Sequence, residues 1–163
     1  MDKNFQGEVY LSDYMTSLMV QFPELSGNII NDFKTYWRTG HHPDFGKDAP
    51  LHDPAAIRQS AVRHVHIIPI PVSPKDDPRW LKPFHWLIPT RRPASNSWLV
   101  YCVTESRNCC LLAFLNGDAH FMARQGFFVG RMIDSAEAFF DRMEEYPLSE
   151  GEHAELFEDK WQL

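Results

Sequence analysis

Ser97-Trp98-Leu99-Val100-Tyr101-Cys102-Val103, then Thr104-Glu105-Ser106-Arg107, then Asn108-Cys109-Cys110-Leu111-Leu112-Ala113-Phe114-Leu115: this stretch decides the fold class. Two apolar runs of strand length, rich in aromatic and β-branched or aliphatic side chains, flank a short polar link. The link has the length and composition of a hairpin loop, so the pair reads as two antiparallel strands.

Working upstream, Val62-Arg63-His64-Val65-His66-Ile67-Ile68 is a third strand by its β-branched content. Between it and the hairpin lies an irregular segment, Pro69 to Pro93, holding seven of the twelve prolines. Asn28 to Arg38 carries Ile29, Ile30, Phe33 and Trp37 at helical spacing, with Gly40 just beyond as the C-terminal cap. His41 to Asp48, punctuated by Pro43 and Gly46, reads as a loop. Nearer the N-terminus two readings stay open. Glu8 to Leu11 makes a short opening strand, or Ser12-Asp13 caps a first helix from Tyr14 to about Phe22 that stops at Pro23. Downstream, a helix is predicted from about Gly130 to Met143, with Met132, Ile133, Ala136, Phe139, Phe140 and Met143 inward and Pro147 ending it. Ser149 to Leu163 holds a short amphipathic helix on Ala154, Leu156, Phe157 and Trp161. Helices come first, three strands follow and a helix closes the chain: an α+β fold.

At 163 residues and 44% hydrophobic, the chain fits one domain, read here as 1–143 with an acidic extension over 144–163. No apolar run approaches the length that spans a bilayer, and Met1 to Phe5 lacks a signal-peptide shape. Three cysteines, Cys102, Cys109 and Cys110, suit neither a disulfide scaffold nor a zinc ribbon. They read as strand residues in a reducing cytoplasm, with an oxidation-sensitive Cys102–Cys109 pairing as the other option. The net charge of −6 argues at first against a nucleic-acid substrate. Residues 134–163 carry −8 of it, which leaves +2 for the rest. From Arg58 to Arg131 there are ten basic residues and four acidic. A basic patch, not a basic total, is what a polyanion needs.

Ala119-His120-Phe121-Met122-Ala123-Arg124 joins the last strand to the last long helix. If helical there, His120 and Arg124 share a face. An imidazole that moves a proton near neutral pH beside a fixed cation suits phosphodiester chemistry. A strand-capping histidine and a solvated arginine are the plain alternative. His64 and His66 leave the same face of their strand, either as two ligands of a metal or as a polar active-site floor. In the proline-rich segment Trp80, Phe84, His85 and Trp86 interleave with Arg79, Lys82, Arg91 and Arg92, as RNA contacts or as a pinned excursion between strands.

The order of these pieces resembles the YafO-type toxins of bacterial type II toxin–antitoxin systems. The matching residues are Phe33-Lys34-Thr35-Tyr36, Gly40, Pro43 and Phe45-Gly46-Lys47-Asp48, then His64-Val65-His66-Ile67. Arg92, Leu99-Val100-Tyr101-Cys102, Leu111 to Leu115, His120 to Arg124 and Met132 through Phe139 complete the series. Where relatives continue with a polar and acidic segment after the arginine, this chain has Pro93-Ala94-Ser95. The resemblance implies a RelE-like fold, with N-terminal helices packed on a small antiparallel sheet and a C-terminal helix. It implies a ribosome-dependent endoribonuclease, an mRNA interferase, restrained by a cognate antitoxin and needing no cofactor. Its partners are mRNA, the ribosome and that antitoxin, in the cytoplasm, with no membrane. Under that reading the ribose 2′-OH attacks the adjacent phosphate. His120, with His66 or His64, moves protons, and Arg124 and Arg92 stabilise charge. Lys47, Arg91 and Tyr101 are the expected RNA contacts, Tyr101 serving otherwise as a buried core tyrosine. The rival readings are a metal-dependent enzyme built on the His64/His66 face and a non-catalytic binding module.

Overall fold

Residues 6–157 are described by the structure, a computed structural model. The Met1–Phe5 N-terminus and Trp161 lie outside the described residues. At the centre are β4 (Trp98–Val103) and β5 (Cys109–Leu115), paired antiparallel with Cys102 opposite Cys110. Their turn closes because Arg107 adopts φ 69° and donates its N–H to the Thr104 carbonyl, while Thr104 Oγ1 accepts from Asn108 N–H. The register puts Cys109 opposite Val103, so the cross-strand neighbour of Cys102 is Cys110 and not Cys109. All three thiols are free and buried, and burial pushes each of them up, away from the reactive thiolate.

β3 (Val62–Ile67) pairs antiparallel with β4, with His64 opposite Val100 and His66 opposite Trp98. Two edge strands extend the sheet to five, in the order β1-β5-β4-β3-β2. β1 (Val9–Leu11) runs parallel to β5, so the sheet is mixed rather than antiparallel. β2 (Phe45–Pro50) pairs with β3 across a bulge between Phe45 and Asp48. Its sequence has no β-branched residue, which is why it reads as a loop. Tertiary contacts hold it: Lys47 N–H donates to the Pro93 carbonyl, and a Cβ on Gly46 would collide with that carbonyl and with Trp80. A proline at the end of an edge strand sacrifices no ladder bond.

Six helices surround this sheet among the described residues: α1 (Asp13–Gln21), α2 (Pro23–Thr39), α3 (Ala55–Gln59), α4 (Ala119–Met122), α5 (Gly126–Met143) and α6 (Glu150–His153). Both N-terminal readings hold, since β1 and α1 are both present and the Ser12 side chain accepts from Met15 N–H at the start of α1. Pro23 opens α2 instead of merely stopping α1, as suits a residue whose missing N–H has no partner at a first helical position. Gly40, at φ 84°, caps α2. Glu144, at φ 55°, caps α5, so that helix ends before Pro147 is reached.

The two faces of the sheet differ in chemistry. On one, Phe33 and Trp37 of α2 pack on Tyr101, with ring centroids 5.1 and 5.8 Å apart. Here Asp48 binds Arg63 Nε at 2.9 Å and accepts from the Tyr36 and Tyr101 hydroxyls. Burial pushes both hydroxyls up, so they stay protonated and donate. The segment after α5 closes over this network. Arg63 Nη1 donates to His153 Nδ1 at 2.9 Å, Leu148 and Leu156 are buried, and Phe157 packs on Tyr36 and Trp37. Leu148, His153 and Leu156 of the segment after Met143 are thus buried against the rest of the fold. The opposite face carries His64, His66, Trp98 and α5.

Candidate active site

Alternation along β3 turns His64 and His66 to the α5 face, and the β3–β4 register sets Trp98 beside them. Trp98 is 4.2 Å from His64 and 5.4 Å from His66, centroid to centroid. His120 arrives from α4, 4.9 Å from Trp98 and 6.2 Å from His66. Three imidazoles thus surround one buried indole. α4 ends at Met122 and α5 begins at Gly126, so His120 and Arg124 do not ride on one continuous helix. The bend between the helices nevertheless turns both into a single open cleft.

That cleft, about 700 Å³, is lined by His64, Trp98, His120 and Arg124, by Leu51, His52 and Asp53 after β2, and by Gly126, Gly130 and Ile133 of α5. Arg124 is exposed and has no ion pair among the described residues. His64 is held down to about 4, by burial first and His66 second. His66 is held down to about 4 as well, by burial first, with His120 and Lys47 adding to it. Both rings are neutral at pH 7. Lys47 is exposed, and its charge adds to what holds His66 down, though neither residue lines the cleft.

Other expected site residues lie elsewhere. Arg92 is 4% exposed, and its guanidinium donates to the Trp86 and Gly40 carbonyls at 2.9 and 2.8 Å. It also lies over the Tyr36 ring, so it ties the proline-rich excursion to the end of α2. Tyr101 is fully buried on the α2 face and donates to Asp48. Arg91 is exposed at the end of a short 3₁₀ turn in the excursion. Sequence reasoning passed over Asn96, Trp98 and His52. No local motif marks them, because each joins the cleft through strand register or loop placement.

A metal site on the His64/His66 face finds no third His, Cys, Asp or Glu at ligand spacing among the described residues. Such spacing occurs instead at Asp32, His42 and Asp44, on α2 and the loop behind it. There His42 Nδ1 accepts from Asp44 N–H, which leaves the hydrogen on Nε2, facing Asp32 at 3.5 Å. A neutral imidazole directing its N–H at a carboxylate has no lone pair on Nε2 for a cation.

A family model described as "Toxin YafO, type II toxin-antitoxin system" matches residues 34–141. The chain belongs to the YafO toxin family. The match runs from the middle of α2 almost to the end of α5, so it takes in His64, His66, His120 and Arg124. No curated protein and no solved structure matches the chain. No helix among the described residues is long and apolar enough to cross a membrane.

Proposed function

We propose that this YafO-family toxin is a ribosome-dependent endoribonuclease that cleaves mRNA without a metal and is restrained by a cognate antitoxin in the cytoplasm. The observation that carries the reading is the convergence on one open cleft of His120, His64 and Arg124, which has no ion pair among the described residues, with His66 alongside. The helical pair α1–α2 against the sheet, with a closing α5, fits the RelE-like architecture that the resemblance implies.

In this reading His120 takes the proton of the ribose 2′-OH as its oxygen forms a bond to phosphorus. The bond from phosphorus to the 5′-oxygen breaks, leaving a 2′,3′-cyclic phosphate. Arg124 holds the charge that builds on the non-bridging oxygens. His64 and His66, neutral at pH 7, act through their N–H groups rather than as full proton donors. The 5′-oxygen takes its proton from water in the open cleft. The ribosome supplies much of the substrate positioning, so naked RNA is a poor substrate.

The test is cleavage of mRNA on programmed ribosomes, with product ends mapped. Wild type gives cyclic phosphate ends and keeps its rate when the protein is stripped with EDTA beforehand and assayed with Mg²⁺ for the ribosomes, and His120→Ala slows cleavage by about 10²–10⁴-fold. Wild-type rate from His120→Ala removes that residue from the chemistry. Loss of activity in the stripped protein, restored by one transition metal, favours the metal reading.

A further inference from the structure

Ser95 and Asn96 are consecutive residues of the loop that enters β4, and each faces one imidazole. Asn96 Oδ1 accepts from the His120 backbone N–H at 2.9 Å and lies 2.8 Å from His120 Nδ1. The orientation of the Asn96 amide is set independently, because its Nδ2 donates to the Gly117 carbonyl at 2.6 Å. Flipping it would press an N–H against the His120 backbone N–H and an oxygen against the Gly117 carbonyl. The oxygen therefore faces His120, and Nδ1 of a neutral His120 carries the hydrogen. Its lone pair is on Nε2.

His66 is set the other way. The Ser95 backbone N–H points at His66 Nδ1 from 2.7 Å. The Ser95 carbonyl, 2.8 Å from the same nitrogen, also accepts from Trp98 Nε1 at 3.1 Å. A hydrogen on Nδ1 would meet the Ser95 N–H, the shorter of the two contacts, head-on, which favours Nδ1 as the acceptor and the hydrogen on Nε2.

We propose that the Ser95–Asn96 turn holds His120 and His66 in opposite tautomers, and that Asn96 is the positioning residue that keeps His120 Nε2 free to accept a proton. The tautomers belong to the folded protein. Their consequence for catalysis rests on the nuclease reading above. One neutral imidazole then presents an acceptor to the cleft while its buried neighbour keeps a donor, without either ring being charged. Asn96 suits this role better than an aspartate, since a carboxylate would also raise the basicity of the ring. Capping α4 requires only the contact to the backbone N–H. The second contact, to Nδ1, orients the ring, in the manner of a group that fixes a catalytic histidine from behind.

The experiment is a long-range ¹⁵N–¹H correlation of the full-length protein at pH 7.5, with ring signals assigned from His120→Gln and His66→Gln. Wild type should show His120 as the Nδ1–H form and His66 as the Nε2–H form. Asn96→Ala should release His120 into a tautomer mixture and leave His66 unchanged. Asn96→Asp, which keeps the acceptor facing His120 but loses the donor to the Gly117 carbonyl, should keep the Nδ1–H form and raise the His120 titration midpoint by about one pH unit, with the unchanged His66 signal reporting that the fold is intact. His120 found as Nε2–H in wild type, or unmoved in Asn96→Ala, overturns the proposal. In the ribosome assay Asn96→Ala should slow cleavage by about 10²-fold, and Asn96→Asp should move the acid limb of the pH–rate profile upward. A changed tautomer with wild-type cleavage overturns the positioning role. Wild-type protein that cleaves nothing overturns the nuclease reading, and the spectra still decide the tautomers.

Discussion

His66 and His120 face each other with ring centroids 6.2 Å apart, one from a central strand and the other from a four-residue helix after the last strand. His66 is 6% exposed, whereas His120 is open to the cleft. The pair thus joins a fixed, desolvated ring to one that solvent reaches. That asymmetry organises what changes at this face should do.

Arg124 and Arg92 separate function from folding. Arg124→Ala removes an exposed cation and should leave stability within about 0.5 kcal/mol of wild type while cleavage on ribosomes falls at least tenfold. Arg92→Ala deprives the Gly40 and Trp86 carbonyls of a charged donor and should cost about 2–3 kcal/mol. Urea unfolding of both variants checks the contrast.

Asp48 holds the buried network on the other face. Asp48→Ala leaves Arg63, 4% exposed at its side chain, without its carboxylate. Breaking a buried pair from one side costs about 3–5 kcal/mol. The expected result is a large drop in urea midpoint, or insoluble protein, with the α5-face histidines untouched in any folded fraction.

Acid should weaken the fold through histidines. His64, His66 and His153 are each held at about 4, with burial the largest cause. In the unfolded chain they titrate near 6.5. Between these values the unfolded state binds protons that the native state refuses, so stability falls as pH drops from about 6.5 towards 4. Below about 4 this contribution flattens, because both states are then protonated. Urea midpoints across pH 4–8 should show a loss of a few kcal/mol in all, and His153→Phe should remove part of the slope.

Gly130 lies inside α5 and lines the cleft, yet an added Cβ meets nothing within 4 Å. A helix-interior glycine costs about 0.8–1 kcal/mol relative to alanine. Gly130→Ala should therefore raise Tm by about 2–4 °C. Gly130→Leu fills the cleft and should reduce RNA cleavage without unfolding the protein. Full cleavage by Gly130→Leu would mean that substrate does not approach this stretch of helix.

Much of the frame is legible in the chain wherever a pattern is local and repeated. The Trp98–Val103 and Cys109–Leu115 strands, the Ile30/Phe33/Trp37 stripe and the shared face of His64 and His66 all follow from periods of 2 or 3.6 residues. The edge strands are less so. β2 has a loop's composition and is held by Pro93, and the parallel pairing of β1 with β5 leaves no mark in either segment. The tail from Glu144 reads as a solvated acidic extension because its charges outnumber its apolar residues, yet Leu148 and Leu156 are buried in the core.

By itself the sequence determined the residue types, their alternation and the strands and helices that alternation dictates, since these depend on neighbours a few positions away. Only the tertiary structure decided which cations meet the imidazoles. Arg92 turns inward to two carbonyls and Arg124 outward to the cleft, while Asn96 reaches His120 across a loop. Nothing nearby in the chain distinguishes one arginine from the other. The difference arises from long-range packing, where burial demands a hydrogen-bond partner and exposure leaves the charge free for a ligand.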